Sequence, residues 1–201
     1  MSRGSWFRGA VFQAGFVALV LLWGIPSLFT AVLPYRWRYW FISRWCVLVE
    51  VWLRLSAGIR HRIKGRENTQ GPAAVVMAKH QSTWETRHLG PPVLPQSWVV
   101  KRELIWVPVF GWALGLLRPI AIDRAAGRNA VREVIRQGRE RLAAGRWVVV
   151  YPEGTRVPAG RKGRYRLGGA ILAARRGYPW YRWPTTPGNT CRVTACGWFR
   201  A

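Results

Sequence analysis

His80 and Glu85 stand five positions apart in "AKHQSTWET", Ala78 to Thr86, in a chain with only three histidines and eight acidic residues. A carboxylate beside an imidazole fixes its tautomer and stabilises the imidazolium that forms when the ring accepts a proton, so the pair suits general-base chemistry. If a strand ends at His80, the next residues can open a helix with Ser82 or Thr83 near its cap, which brings the acid close to the ring. Ser82 is the obvious internal nucleophile, but it lies two positions from the histidine and no nucleophile-elbow pattern surrounds it. A substrate hydroxyl activated by His80 suits the spacing better, and a surface cap is the plain alternative. A second cluster, "PEGTR", Pro152 to Arg156, joins a glycine-containing turn to a carboxylate and a guanidinium. Arginine forks bind phosphate bidentately and turn N–H groups receive anions, so an anionic substrate is implied; a turn closed by a Glu/Arg salt bridge is the alternative.

Positioning these groups requires strands that end beside one another. "IRHRIK" alternates apolar and basic residues as a half-exposed strand, and "AAVVMAK" reads as a buried strand ending at His80. "SWVVK", "RPIAID" and "WVVVYP" continue the series. Between them, Asn129 to Ala144 puts Val131, Val134, Ile135 and Leu142 at helical spacing. Strands alternating with helices imply an α/β domain whose site lies at strand ends. The apolar strands run into polar clusters: "VVMAKHQSTWE", "SWVVKREL", "IAIDR" and "VVVYPEGTR". No internal repeat and no low-complexity segment is present.

The rest of the chain points to a membrane. Lys plus Arg outnumber Asp plus Glu by 32 to 8, a net charge of +24 that draws the protein to anionic lipid, acidic proteins or nucleic acid. Fourteen tryptophans in so basic a chain fit the headgroup level. Ala10 to Leu33 carries no charged residue and is long enough to span a hydrocarbon core. A signal peptide is the competing reading, but a basic aromatic belt, Tyr35 to Trp40, follows it instead of a small-residue cleavage site. Gln13, Gly24 and Pro26 interrupt the run, as in a kinked or re-entrant helix. A second helical pattern, Tyr39 to Leu55, is amphipathic and suits an interfacial helix or a core-facing one. Cys46, Cys191 and Cys196 give no disulfide framework and agree with a reducing compartment.

"KHQSTWE", "KRELIWVPVFGW", "IAIDR" and "YPEGTR", in that order, resemble the blocks of the 1-acylglycerol-3-phosphate acyltransferase family. The resemblance implies an α/β fold with a mixed sheet flanked by helices and N-terminal membrane-associated helices. It implies transfer of a fatty acyl group from an acyl carrier protein or coenzyme A thioester to lysophosphatidate, giving phosphatidate, with no cofactor or metal and with membrane lipids but no nucleic acid as partners. His80 is then the general base and Glu85, where many members have Asp, its orienting acid. Arg124, Glu153 and Arg156 match positions associated with the glycerol phosphate, Lys101 matches a basic position near the same pocket, and Gly154 and Thr155 shape the turn. A bacterial inner membrane, with the site on the cytoplasmic side, is the expected location. His61 and His88 lack comparable surroundings. Trp106, Pro108, Phe110 and Trp112 are candidates for an acyl groove, with core packing expected for at least two of them.

The resemblance stops after "GGAILAARRGYP", where the family has a buried Val-Pro-Val strand. Here "WYRWPTTPGNTCRVTACGWFRA" follows. Because Trp has a single codon, reading the codons of Trp180 to Gly188 two bases later permits Val-Pro-Val-Ala-His-Asn-Ala-Gly. The coding frame is therefore expected to be lost near Pro179, leaving anchoring helices over 1–56, a truncated α/β domain over 57–179 and an aberrant tail over 180–201 without the core strand. An acyltransferase for another lysolipid or a lipid A precursor, and a non-catalytic basic protein binding membrane or nucleic acid, are the alternative functions.

Overall fold

The computed structural model describes residues 3–59, 62–64, 71–80, 95–158, 161, 163–174, 177–183, 185–186, 190–192 and 194–195. They fall into two compact units, Met1–Arg60 with Glu103–Arg118, and His61–Arg102 with Pro119–Ala201. The divisions expected at 56 and 179 did not foresee the excursion of Glu103–Arg118 into the N-terminal unit.

The first unit is built on a helical hairpin. Helix α1, Arg3–Phe29, runs as one helix through Pro26, and Trp6–Val32 is long and apolar enough to cross a membrane. Helix α2, Tyr35–Ala57, begins after Pro34 and ends where Gly58 takes φ +70 and donates its N–H to the Arg54 carbonyl. The aromatic belt expected between two helices thus forms the first turns of α2. Tryptophans join the pair: Trp23 stacks on Phe41 at 4.7 Å and donates its indole N–H to the Phe41 carbonyl, while Trp52 donates to the Phe12 carbonyl. Gly15 admits the Trp52 indole, since a Cβ there would overlap the ring. Outside these contacts Leu22, Phe29, Val32 and Leu55 are exposed, an apolar surface that water does not reward.

Glu103–Arg118 belongs to the same unit. A 3-10 turn, Arg102–Trp106, precedes the short helix α3, Phe110–Leu116. Phe110 packs against Trp45, and the Tyr35 hydroxyl donates to the Leu117 carbonyl. Trp106 is 75% exposed and Trp112 51%, and Pro108 is also exposed. The expectation that at least two of the four pack into the core is therefore not met; apolar rings at the surface of this unit resemble the exposed face of the hairpin.

The second unit carries a six-stranded sheet in the order β4-β3-β5-β2-β6-β9. Its strands are β2 Val75–Ala78, β3 Gln96–Lys101, β4 Ile120–Ile122, β5 Trp147–Val150, β6 Trp180–Trp183 and β9 Thr194–Ala195. The first five are parallel and β9 pairs antiparallel with β6, so the sheet is mixed as expected. A separate small sheet joins β1, Arg62–Lys64, to β8, Thr190–Arg192, and β8 to β7, Thr185–Thr186. Central strand β5 is buried at every position, because helices cover parallel sheets and leave no strand face for water. Helix α4, Arg128–Ala143, and helix α5, Gly168–Ala174, pack together where Gly138 leaves room for the Leu172 side chain.

The expected absence of a core strand after Pro179 is overturned. Strand β6 lies parallel to β2 in the register Val75↔Trp180 to Ala78↔Trp183. Tyr181 is buried and stacks on Trp147 at 5.1 Å, while Arg182 stays exposed, so alternation across the pleat turns "WYRW" into a usable strand. Leu172 is fully buried against the same core as Val75, Val148 and Val150. Leu172→Ala is expected to destabilise the protein by roughly 2–5 kcal/mol, read from denaturant unfolding in detergent; a change near zero would mean that the α4–α5 layer does not pack as described.

Candidate active site

Strands β2 and β5 are parallel neighbours, so their C-terminal ends lie side by side. The pairing runs from Val75↔Val148 to Met77↔Val150. Carried three residues further, the same register sets His80 opposite Glu153, and the two polar clusters of the sequence meet. The contacts bear this out. His80 donates its backbone N–H to Glu153 Oε2 at 3.2 Å, and its carbonyl accepts from the Val157 N–H at 2.8 Å. Its ring stacks on Tyr151 at 4.3 Å with an interplanar angle of 27°. The histidine is thereby pinned on both backbone groups and one ring face.

Glu153 is the hub of this junction. Its side chain is fully buried, and Lys79 Nζ reaches its Oε1 at 3.1 Å. The Gly163 N–H donates to the same oxygen at 3.4 Å. Lys79 Nζ also donates to the Arg161 carbonyl at 2.6 Å. A buried carboxylate without donors is very costly, and here a cation and two backbone N–H groups supply them. Both oxygens are therefore occupied from within the fold, at a position that the family resemblance associates with the glycerol phosphate.

The turn itself needs glycine. Gly154 has φ +66 and donates its N–H to the Tyr151 carbonyl, while a Cβ on it would lie 2.9 Å from Arg166 Nε. Arg124, which follows β4, donates from Nη1 to the Gly154 carbonyl at 2.7 Å and ties a third strand end to the turn. Thr155 and Arg156 are exposed beyond it, and Arg156 has no ion pair among the described residues. Lys101 is exposed at the end of β3, in register with Ile122 of β4. His80, Lys101, Arg124, Glu153, Gly154, Thr155 and Arg156 thus follow the C-terminal ends of four adjacent parallel strands, where ligands of such sheets bind. Glu85, Ser82, Thr83, His61 and His88 lie outside the described residues. Sequence reasoning passed over Lys79 and Tyr151; a lysine directly before a strand-end histidine, with an acid at the same distance beyond the neighbouring strand, is the signal that finds them.

A parallel sheet with a pinned histidine and exposed cations at one edge can bring a base beside an anionic substrate. A family model described as Acyltransferase matches residues 60–181. The 1-acyl-sn-glycerol-3-phosphate acyltransferase of Pseudomonas aeruginosa is 45% identical over 182 residues, covering 89% of this chain and 70% of that protein. The corresponding enzyme of Helicobacter pylori is 32% identical over 104 residues, covering 50% of this chain and 43% of its own length. Among solved structures, the 1-acyl-sn-glycerophosphate acyltransferase PlsC of Thermotoga maritima superposes with a TM-score of 0.75 at 20% identity, covering 96% of this chain and 85% of that one, a likeness of fold. The chain belongs to the 1-acyl-sn-glycerol-3-phosphate acyltransferase family.

The Lys79–Glu153 pair makes a specific expectation about stability. Lys79→Met leaves a buried carboxylate without its cation and is expected to cost roughly 3–5 kcal/mol of unfolding free energy. Adding Glu153→Gln should recover part of that loss. A double-mutant cycle in which the two costs simply add would show that the pair is not coupled.

Proposed function

We propose that this chain transfers a fatty acyl group from a thioester donor, an acyl carrier protein or coenzyme A thioester, to the sn-2 hydroxyl of 1-acylglycerol-3-phosphate, giving phosphatidate. The observation that carries this reading is the pinned strand-end histidine in a chain 45% identical to a protein of that name. His80 takes the proton of the acceptor hydroxyl as its oxygen attacks the thioester carbonyl. Collapse of the tetrahedral intermediate breaks the C–S bond, and the departing thiolate takes the proton back from the imidazolium. Glu85 orients the ring in this scheme. Lys101 and Arg156, exposed at the same edge, hold the acceptor phosphate, and Arg124 holds the turn between them from the Gly154 carbonyl.

Backbone clamping of His80 through Glu153 supports a fixed base, since a general base displaced by about an ångström loses much of its effect. The apolar exterior of the N-terminal unit supports work at a lipid surface, where the acceptor resides; with relatives in bacteria, the proposed surface is an inner membrane, with the site facing the cytoplasm. A loss of reading frame near Pro179 remains part of the proposal, because "WYRW" supplies the strand but not the family's residues.

Acyl transfer to lysophosphatidate by membranes carrying this chain, a version read two bases later from Trp180, and the His80→Ala variant of each tests the reading. Transfer by an unaltered protein and a fall of about 10²- to 10⁴-fold in His80→Ala are expected. Transfer that survives the histidine change, or restored protein active only on other lysolipids, would overturn it.

A further inference from the structure

Beyond the strand-end motifs, a cleft of about 710 Å³ opens between the start of α4 and the segment after the Glu153 turn. Its walls carry Arg128 and Arg132 on one side and Arg164 and Arg166 on the other, with the Thr155 hydroxyl near them. The volume lies within the range of small-molecule sites. Glu153 is the single acid among the lining residues, and its charge is already met by Lys79.

Helix α4 divides its arginines in two. Towards its C-terminus Arg136 pairs with Glu133 and with Glu140 at 2.8 Å, and Arg141 pairs with Glu140. Arg136 and Gln137 hold the Glu133 carboxyl down at about 2, so those charges are satisfied at neutral pH. In contrast, Arg128, Arg132, Arg164 and Arg166 have no ion pair among the described residues. The first turn of α4 contains no acid and its N-cap, Gly127, offers no side-chain acceptor. Arginines at the positive end of a helix oppose its dipole, so this end is stabilised only when an anion arrives.

We infer that the cleft is a second anion subsite, separate from the strand-end cations, that binds the phosphate of the thioester donor's phosphopantetheine arm. The inference rests on the acyltransferase reading and deepens it. In the proposed reaction Lys101 and Arg156 hold the lysophosphatidate headgroup, so the phosphate left for the cleft is that of the donor's phosphopantetheine arm, common to acyl carrier protein and coenzyme A thioesters. Four guanidinium forks and a hydroxyl match its oxygens, and neither Lys101 nor Arg156 lines this cleft.

The test compares the unaltered protein with Arg128→Gln/Arg132→Gln, Arg164→Gln/Arg166→Gln and the charge-keeping Arg128→Lys/Arg132→Lys, all checked by thermal unfolding. KM is measured for lysophosphatidate and for an acyl-coenzyme A separately, and binding of lysophosphatidate and of coenzyme A is followed by calorimetry. Each glutamine pair is expected to raise KM for the acyl-coenzyme A and Kd for coenzyme A roughly ten- to hundredfold, with kcat and the lysophosphatidate constants little changed, and the lysine pair to retain most of the affinity. A rise confined to lysophosphatidate would overturn the assignment of the cleft to the donor. An active protein whose KM and Kd for both substrates ignore the glutamine pairs sinks the subsite and leaves the acyltransferase reading. An inactive protein that still binds coenzyme A through these arginines sinks that reading and leaves the subsite, and one that neither transfers nor binds overturns both.

Discussion

A buried carboxylate governs this fold's working edge. Glu153 has no water to solvate it, so every donor it needs must come from the chain, and the donors come from different segments: the Lys79 ammonium and His80 N–H after β2, and the Gly163 N–H beyond the turn. Satisfying one ion therefore fixes three pieces of backbone at once. The histidine inherits that rigidity. Its carbonyl is held by Val157, its ring by Tyr151, and Arg124 braces the turn from β4. As the base of the proposed reaction, a histidine set on a crossing of several locked segments needs little reorganisation.

The N-terminal unit obeys the opposite economy. Trp23 and Trp52 donate their N–H groups to backbone carbonyls across the hairpin, at Phe41 and Phe12, while Leu22, Phe29 and Val32 are left facing outward. Indole is suited to this, since its ring accepts an apolar neighbour and its single donor reaches a helix carbonyl. Exposed apolar side chains with internally satisfied polar groups are what a lipid surface asks of a helix pair. The Glu103–Arg118 segment shares that surface through Trp106 and Trp112.

Much of this was legible in the sequence because its strongest signals are local. "VVMA" and "WVVV" are short, apolar and β-branched, and as neighbours in a parallel sheet they bring their following clusters together. Three features were not. A carboxylate in an anion-recognising turn reads as part of the binding chemistry, yet Glu153 is consumed by the fold; burial is a tertiary property that four residues of string do not encode. Strand β6 was hidden because "WYRW" stands where the family has Val-Pro-Val, yet it buries Tyr181 and leaves Arg182 outside, next to the edge strand β9. The membership of Glu103–Arg118 in the N-terminal unit was equally hidden, since it depends on Phe110 meeting Trp45 across 65 positions of chain.

The central claim is direct transfer, in which the acceptor oxygen and no side chain of the protein attacks the thioester. Active protein should be mixed with a thioester donor labelled in its acyl group, without lysophosphatidate, denatured, and searched for covalent label. Direct transfer leaves the protein unlabelled, with label appearing in phosphatidate only after the acceptor is added. Stoichiometric acyl label on the protein, chased into phosphatidate on addition of lysophosphatidate and abolished by Ser82→Ala, would contradict it.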